Sequence, residues 1–89
     1  MYYVYILQSL KDSHFYIGSS ISPAARLIKH NNGSSKSTKP YCPWKIIYTE
    51  QYKTKSEAVK REYYLKHPKG YLEKRNIIDS NKFDNGEVA

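Results

Sequence analysis

Along this chain the spacing of apolar positions alternates between a period of two and one of three to four, and each switch marks an element. From Tyr2 to Gln8 the residues are largely aromatic or branched, with Tyr3, Tyr5 and Leu7 on one face and Tyr2, Val4 and Ile6 on the other. Both faces are apolar, which predicts a central strand covered on both sides. Lys11, Asp12 and Ser13 form a turn cluster, and His14 to Ser19 reads as the returning strand. An antiparallel hairpin with an even-numbered loop then places Tyr5 and Tyr16 on the same sheet face.

Ser22 before Pro23 is an N-cap with proline in the first helical position, and Ala24, Leu27 and Ile28 supply an apolar stripe. A first helix is expected over Pro23 to Asn31. Asn32 to Pro43, rich in Gly, Ser, Lys and Pro, predicts a mobile basic loop. Ile46, Ile47 and Tyr48 restore strand character between Trp44 and Tyr52. Thr54 and Glu57 form a capping box that opens a second helix, Lys55 to Lys66, which His67-Pro68-Lys69-Gly70 breaks. A short third helix is expected over Tyr71 to Ile78. The order ββαβαα, without an internal repeat, predicts an α+β fold, a three-stranded, mainly antiparallel sheet flanked by helices. One domain is expected over residues 1–78, followed by a polar, frayed tail over residues 79–89.

Composition narrows the partners. The chain has 89 residues, enough for one modest core. Fifteen Lys and Arg against eight Asp and Glu give a net charge of +7. Asp79, Lys82, Asp84 and Glu87 make the tail acidic, so the excess of positive charge sits on the preceding residues. Such a field suits a polyanion, nucleic acid above all, and serves solubility equally well. Ten tyrosines supply flat faces and hydroxyls that can pack, stack or bind phosphate. The single Cys42 has no internal disulfide partner, and no apolar run approaches a membrane span. A cytoplasmic protein with no membrane partner is expected.

Two groups of residues carry candidate chemistry. Ser22, Arg26 and His30 recur at intervals of four and form one row on the first helix, next to the Tyr16-Ile17-Gly18 strand. Glu62 falls within the Ala58 and Leu65 stripe of the second helix. A carboxylate there is either held for a metal or sits at a rim, bonded to Arg61, Lys66 or a tyrosine hydroxyl. Lys36, Lys39 and Lys45 border the loop, and Lys66, Lys69, Lys74 and Arg75 crowd the later helices as phosphate-positioning candidates. Tyr41 and Trp44 could stack on bases, or Trp44 could be buried at the strand start. His14 and His67 read as surface or turn residues.

Tyr3-Val4-Tyr5, Tyr16-Ile17-Gly18, Arg26 eight residues past that glycine and His30 four further on resemble the GIY-YIG nuclease superfamily, in particular its small stand-alone bacterial members. The run from Glu57 to Lys66 resembles their metal-binding helix and places the glutamate at Glu62; Tyr71 to Arg75 resembles their terminal basic helix. Tyr3 replaces the glycine of the family name, and Ala25 stands where many relatives carry a second arginine. The resemblance implies a metal-dependent endonuclease that hydrolyses DNA phosphodiesters, structure-selective in repair or recombination. In it Tyr5 would be the general base or position the water, Tyr16 would bind phosphate or share that role, and Arg26 would neutralise the phosphoryl oxygens. His30 would pass a proton or bond a phosphate oxygen, and Glu62 would hold one Mg²⁺ or Mn²⁺. RNA is an equally charged substrate, and a protein partner could supply specificity. The competing readings are a nucleic-acid-binding module with a vestigial site and a protein-interaction domain that kept the fold.

Overall fold

The computed structural model describes residues 1–83. Strand β1 (Tyr2–Ser9) is the middle of a three-stranded antiparallel sheet, between β2 (Phe15–Ser20) and β3 (Trp44–Tyr52). Helix α1 (Pro23–Asn31) follows the hairpin, α2 (Lys55–Lys66) follows β3, and α3 (Tyr71–Asn81) ends the described chain. The expected α+β order is therefore present. Ser22 caps α1 by accepting the Ala25 N–H, and Thr54 caps α2 by accepting that of Glu57. Each supplies an acceptor to a first-turn donor that has no partner within its own helix.

The helices divide between the two sheet faces. Val4, Ile6 and Ile17 pack with Ala58, Leu65 and Ile78 from α2 and α3. On the opposite face Tyr5, Leu7 and Trp44 gather Tyr16, Leu27, Tyr41, Cys42 and Ile46. A strand buried on both faces cannot alternate apolar with polar, which accounts for the unbroken run from Val4 to Leu7. No helix among the described residues is long and apolar enough to cross a membrane.

A polar network fixes α2 on its face. Glu50 accepts from the Tyr48 and Tyr52 hydroxyls and, through both carboxylate oxygens, from the Arg61 guanidinium at 2.8 and 2.9 Å. Arg61 also bonds Glu73 of α3. Burial would raise the Glu50 carboxyl, but Arg61 and the two tyrosines more than offset it and hold it below the usual range. Burial and the neighbouring carboxylate push both phenols up to about 12.

Three expectations need correction. Ala24 and Ile28 do not face the core: Ile28 is 66% exposed, and His30 is the buried residue of α1, with Leu27 packed on the second cluster. The segment after α1 is tied down, with a 3-10 turn over Lys39–Tyr41 and a fully enclosed Thr38 whose carbonyl accepts the Trp44 indole N–H. Residues 79–81 continue α3, and Phe83 exchanges two hydrogen bonds with the Gln8 side chain. The rest of the expected tail, residues 84–89, lies outside the described residues.

Candidate active site

The hairpin register places Tyr5 opposite Gly18 and Leu7 opposite Tyr16. Directly opposed residues share a face, so both phenols point toward α1. Their ring centroids are 6.3 Å apart. Gly18 makes this possible, because a Cβ there would stand 2.6 Å from the Tyr5 hydroxyl. The glycine is thus needed for space, not for an unusual backbone angle.

Helix α1 supplies the next two groups. The His30 ring lies 4.7 Å from that of Tyr16, and its Nε2 is 3.4 Å from the Tyr5 hydroxyl. Nδ1 is 2.9 Å from Thr38 Oγ1. One turn earlier Arg26, itself exposed, brings its charge to bear on the Tyr5 hydroxyl. Burial, and secondly Arg26, lower the His30 pKa, so the imidazole is neutral at pH 7. Tyr5 is fully enclosed, and its phenol is raised chiefly by burial, in part offset by Arg26, with Tyr16 and Glu62 adding to the rise.

Glu62 comes from α2 on the other sheet face and meets the edge strand β2 on that face, where Ser19 stands opposite Val4. It accepts from Ser19 Oγ at 2.5 Å and from the Lys66 ammonium at 2.6 Å. The Lys66 ammonium also lies 5.6 Å from the Tyr16 ring centroid, which bridges the two sides of the edge. Glu62 is a rim carboxylate, 22% exposed, and not a core one. Among the described residues no three His, Cys, Asp or Glu side chains gather as a metal cluster. One carboxylate beside a hydroxyl fits a hard cation that keeps most of its waters and takes phosphate oxygens from a substrate. Lys66 would have to release one Glu62 oxygen to it.

The basic candidates separate into groups. Lys66, Lys74 and Arg75 line a groove of about 500 Å³ along β2, together with His14 and Tyr16. A second depression, about 430 Å³, is lined by Arg26, Lys29, His30, Ser34 and Ser35 on the α1 side. Lys36 and Lys39 are exposed on the segment after α1 but do not line it. Lys45 sits over the Phe83 ring, and Lys69 lies at the α2 to α3 corner beside Tyr63, Tyr64 and His67. These two are not brought to the tyrosines. Trp44 is buried at the strand start, and His14 is a turn residue paired with Asp12 and stacked on Tyr41. Thr38, Ser19 and Lys29 join the site without having been singled out in the sequence. Only Ser19, one residue past the Tyr-Ile-Gly triplet, had a local signal.

Known proteins resemble this chain in sequence and in fold. The sequence pattern of the GIY-YIG catalytic domain covers residues 1–76. A UPF0213 protein from Staphylococcus saprophyticus is 46% identical over 66 residues, 73% of this chain and 79% of the relative. One from Staphylococcus epidermidis is 47% identical over the same shares of the two chains. The solution NMR structure of a UPF0213 protein from Bacillus halodurans superposes with a TM-score of 0.54 at 29% identity, covering 98% of this chain and 95% of that one.

Proposed function

The chain belongs to the GIY-YIG family of catalytic domains, a nuclease family, and from that premise we propose that it is a metal-dependent endonuclease hydrolysing DNA phosphodiesters. The observation that carries the proposal is the meeting of Tyr5, Tyr16 and His30 beside Arg26 on one sheet face, with Glu62 bonded across the edge strand to Ser19 and its partner Lys66 lying over the Tyr16 ring. Hydrolysis needs a water that loses a proton, positive charge at the phosphoryl oxygens and stabilisation of the leaving oxygen.

Arg26 meets the second need. It is exposed over a hydroxyl that solvent does not reach, so a phosphate drawing the guanidinium outward would also open Tyr5 to water. A phenol held above its ordinary range is not a standing phenolate at neutral pH. Tyr5 therefore takes the water proton while passing its own to neutral His30, and the water oxygen forms its bond to phosphorus as the bond to the leaving oxygen breaks. Tyr16 steadies a phosphate oxygen. Glu62, with Ser19 bonded to it, would hold Mg²⁺ or Mn²⁺, which when bound supplies charge for the phosphoryl and leaving oxygens. Lys66, Lys74 and Arg75 along the β2 groove give a salt-dependent, sequence-blind grip. Branched, flapped or damaged DNA is the proposed substrate class, in repair or recombination.

The test is incubation of the purified protein with labelled duplex, single-stranded and branched DNA, and with RNA, in Mg²⁺, Mn²⁺ or chelator. Cleavage that stops in chelator supports the enzyme. Retarded bands without cutting favour a non-catalytic module, and neither result would remove nucleic acid as the partner.

A further inference from the structure

The polar atoms beneath Tyr5 form a line with a pure donor at one end and a pure acceptor at the other. Arg26 can only donate, and its charge acts on the Tyr5 hydroxyl. The Ser35 carbonyl can only accept, and Thr38 Oγ1 lies 3.4 Å from it. Between them stand the Tyr5 hydroxyl, His30 Nε2 at 3.4 Å, and His30 Nδ1 at 2.9 Å from Thr38 Oγ1. Tyr5, His30 and Thr38 are all buried, at 0%, 2% and 2% exposure.

Each hydroxyl has one proton and a neutral imidazole has one N–H, so only one direction satisfies every member. Tyr5, whose hydroxyl has Nε2 as its acceptor, donates to it, Nδ1–H donates to Thr38, and Thr38 to the Ser35 carbonyl. The opposite direction leaves the enclosed Tyr5 proton without an acceptor in the line; the Ser35 carbonyl keeps the Lys39 N–H at 2.9 Å either way. An unmade bond in an enclosed site is costly enough to set one tautomer.

We propose that Thr38 is a positioning residue that locks His30 as its Nδ1–H tautomer, so that Nε2 presents a lone pair to the Tyr5 proton. Thr38 itself touches no reacting atom. Its place is fixed from the backbone: its carbonyl accepts both the Trp44 indole N–H at 3.0 Å and the Tyr41 N–H at 3.1 Å. The segment after α1 thus sets the direction in which the Tyr5 proton can leave. That catalytic consequence rests on the nuclease reading, whereas the tautomer does not.

The experiment is nitrogen NMR of the ¹⁵N-labelled imidazoles in the free protein, for wild type, Thr38→Val and Thr38→Ser. Wild type should show His30 protonated at Nδ1 and bare at Nε2. Thr38→Val keeps the shape but removes the acceptor, so it should populate the Nε2–H form; Thr38→Ser should restore the wild-type signature. An Nε2–H signal in wild type, or an unchanged tautomer in Thr38→Val, overturns the proposal whether or not the protein cuts DNA. Where it cuts, Thr38→Val should lower turnover about tenfold or more, within the contribution of a positioned acid or base, with Thr38→Ser recovering most of it. Full turnover in a Thr38→Val protein with a shifted tautomer would instead remove His30 from the proton path and leave the tautomer assignment standing.

Discussion

Glu50→Ala should unfold the domain at far milder conditions than wild type. The Glu50 side chain is 13% exposed and that of Arg61 21%, and the change strips a bidentate guanidinium and two tyrosine hydroxyls of their acceptor at once. Breaking a buried pair from one side costs about 3–5 kcal/mol. Arg61 keeps Glu73, which places the expected loss near the lower figure, about 3 kcal/mol. Each kcal/mol moves the midpoint of a domain this size by about 4–8 °C, so a drop of about 12–24 °C is expected. The acid dependence follows from the same carboxylate. Its folded pKa lies below the 4.5 of the free group, so its stabilisation is complete above about pH 4.5 and is lost as the pH falls through the folded value. Urea melts at pH 7 and pH 4, followed by circular dichroism, measure both effects. A Glu50→Ala protein within about 0.5 kcal/mol of wild type at pH 7, the range of ordinary surface changes, would refute the network as the clamp on α2.

Gly18→Ala should displace the Tyr5 ring, since the new methyl meets its hydroxyl and Cζ at 2.6 and 2.7 Å; a cost of about 1–3 kcal/mol in a thermal melt and loss of cleavage are expected. The His30 pKa is lowered from 6.5, so the unfolded chain binds more protons below that pH and this residue's contribution to stability falls on acidification through 6.5; His30→Gln should flatten that part of the stability profile. Replacing Lys66, Lys74 and Arg75 singly by Ala should weaken DNA binding alike across sequences and reduce the slope of log affinity against log salt by about 1 for each phosphate no longer neutralised. Lys45→Ala should leave both unchanged, because its ammonium is directed at Phe83.

What could be read along the chain was local. The two N-caps, the proline at the start of α1 and the double-faced apolar run of β1 are complete within a few residues, and each produced its element at the expected place. The shared face of Tyr5 and Tyr16 followed from strand parity alone. Features that depend on tertiary partners were hidden. The facing of Glu50 turns on a register shift opposite Ile6 and Leu7, and Arg61 lies eleven residues away on another element. Ile28 looked like a core residue because it is apolar, yet α1 buries a polar face whose His30 is satisfied by Tyr5 and Thr38. Composition also concealed the order of the segment after α1, since Gly, Ser and Lys do not announce that Thr38 will be enclosed by Trp44 and His30. Glu62 lies on the expected second helix, but its hydrogen bond to Ser19 on the edge strand depends on the sheet order.

The claim at the centre of this account is that an arginine and a glutamate from opposite sheet faces act on one phosphodiester. Single-turnover cleavage of a labelled branched duplex in Mg²⁺, with binding measured in parallel, tests it most directly for wild type, Arg26→Ala and Glu62→Ala. Each variant should melt close to wild type and retain the DNA, yet cut it at least about 10²-fold more slowly. Cutting at the wild-type rate by either folded variant would contradict the assignment.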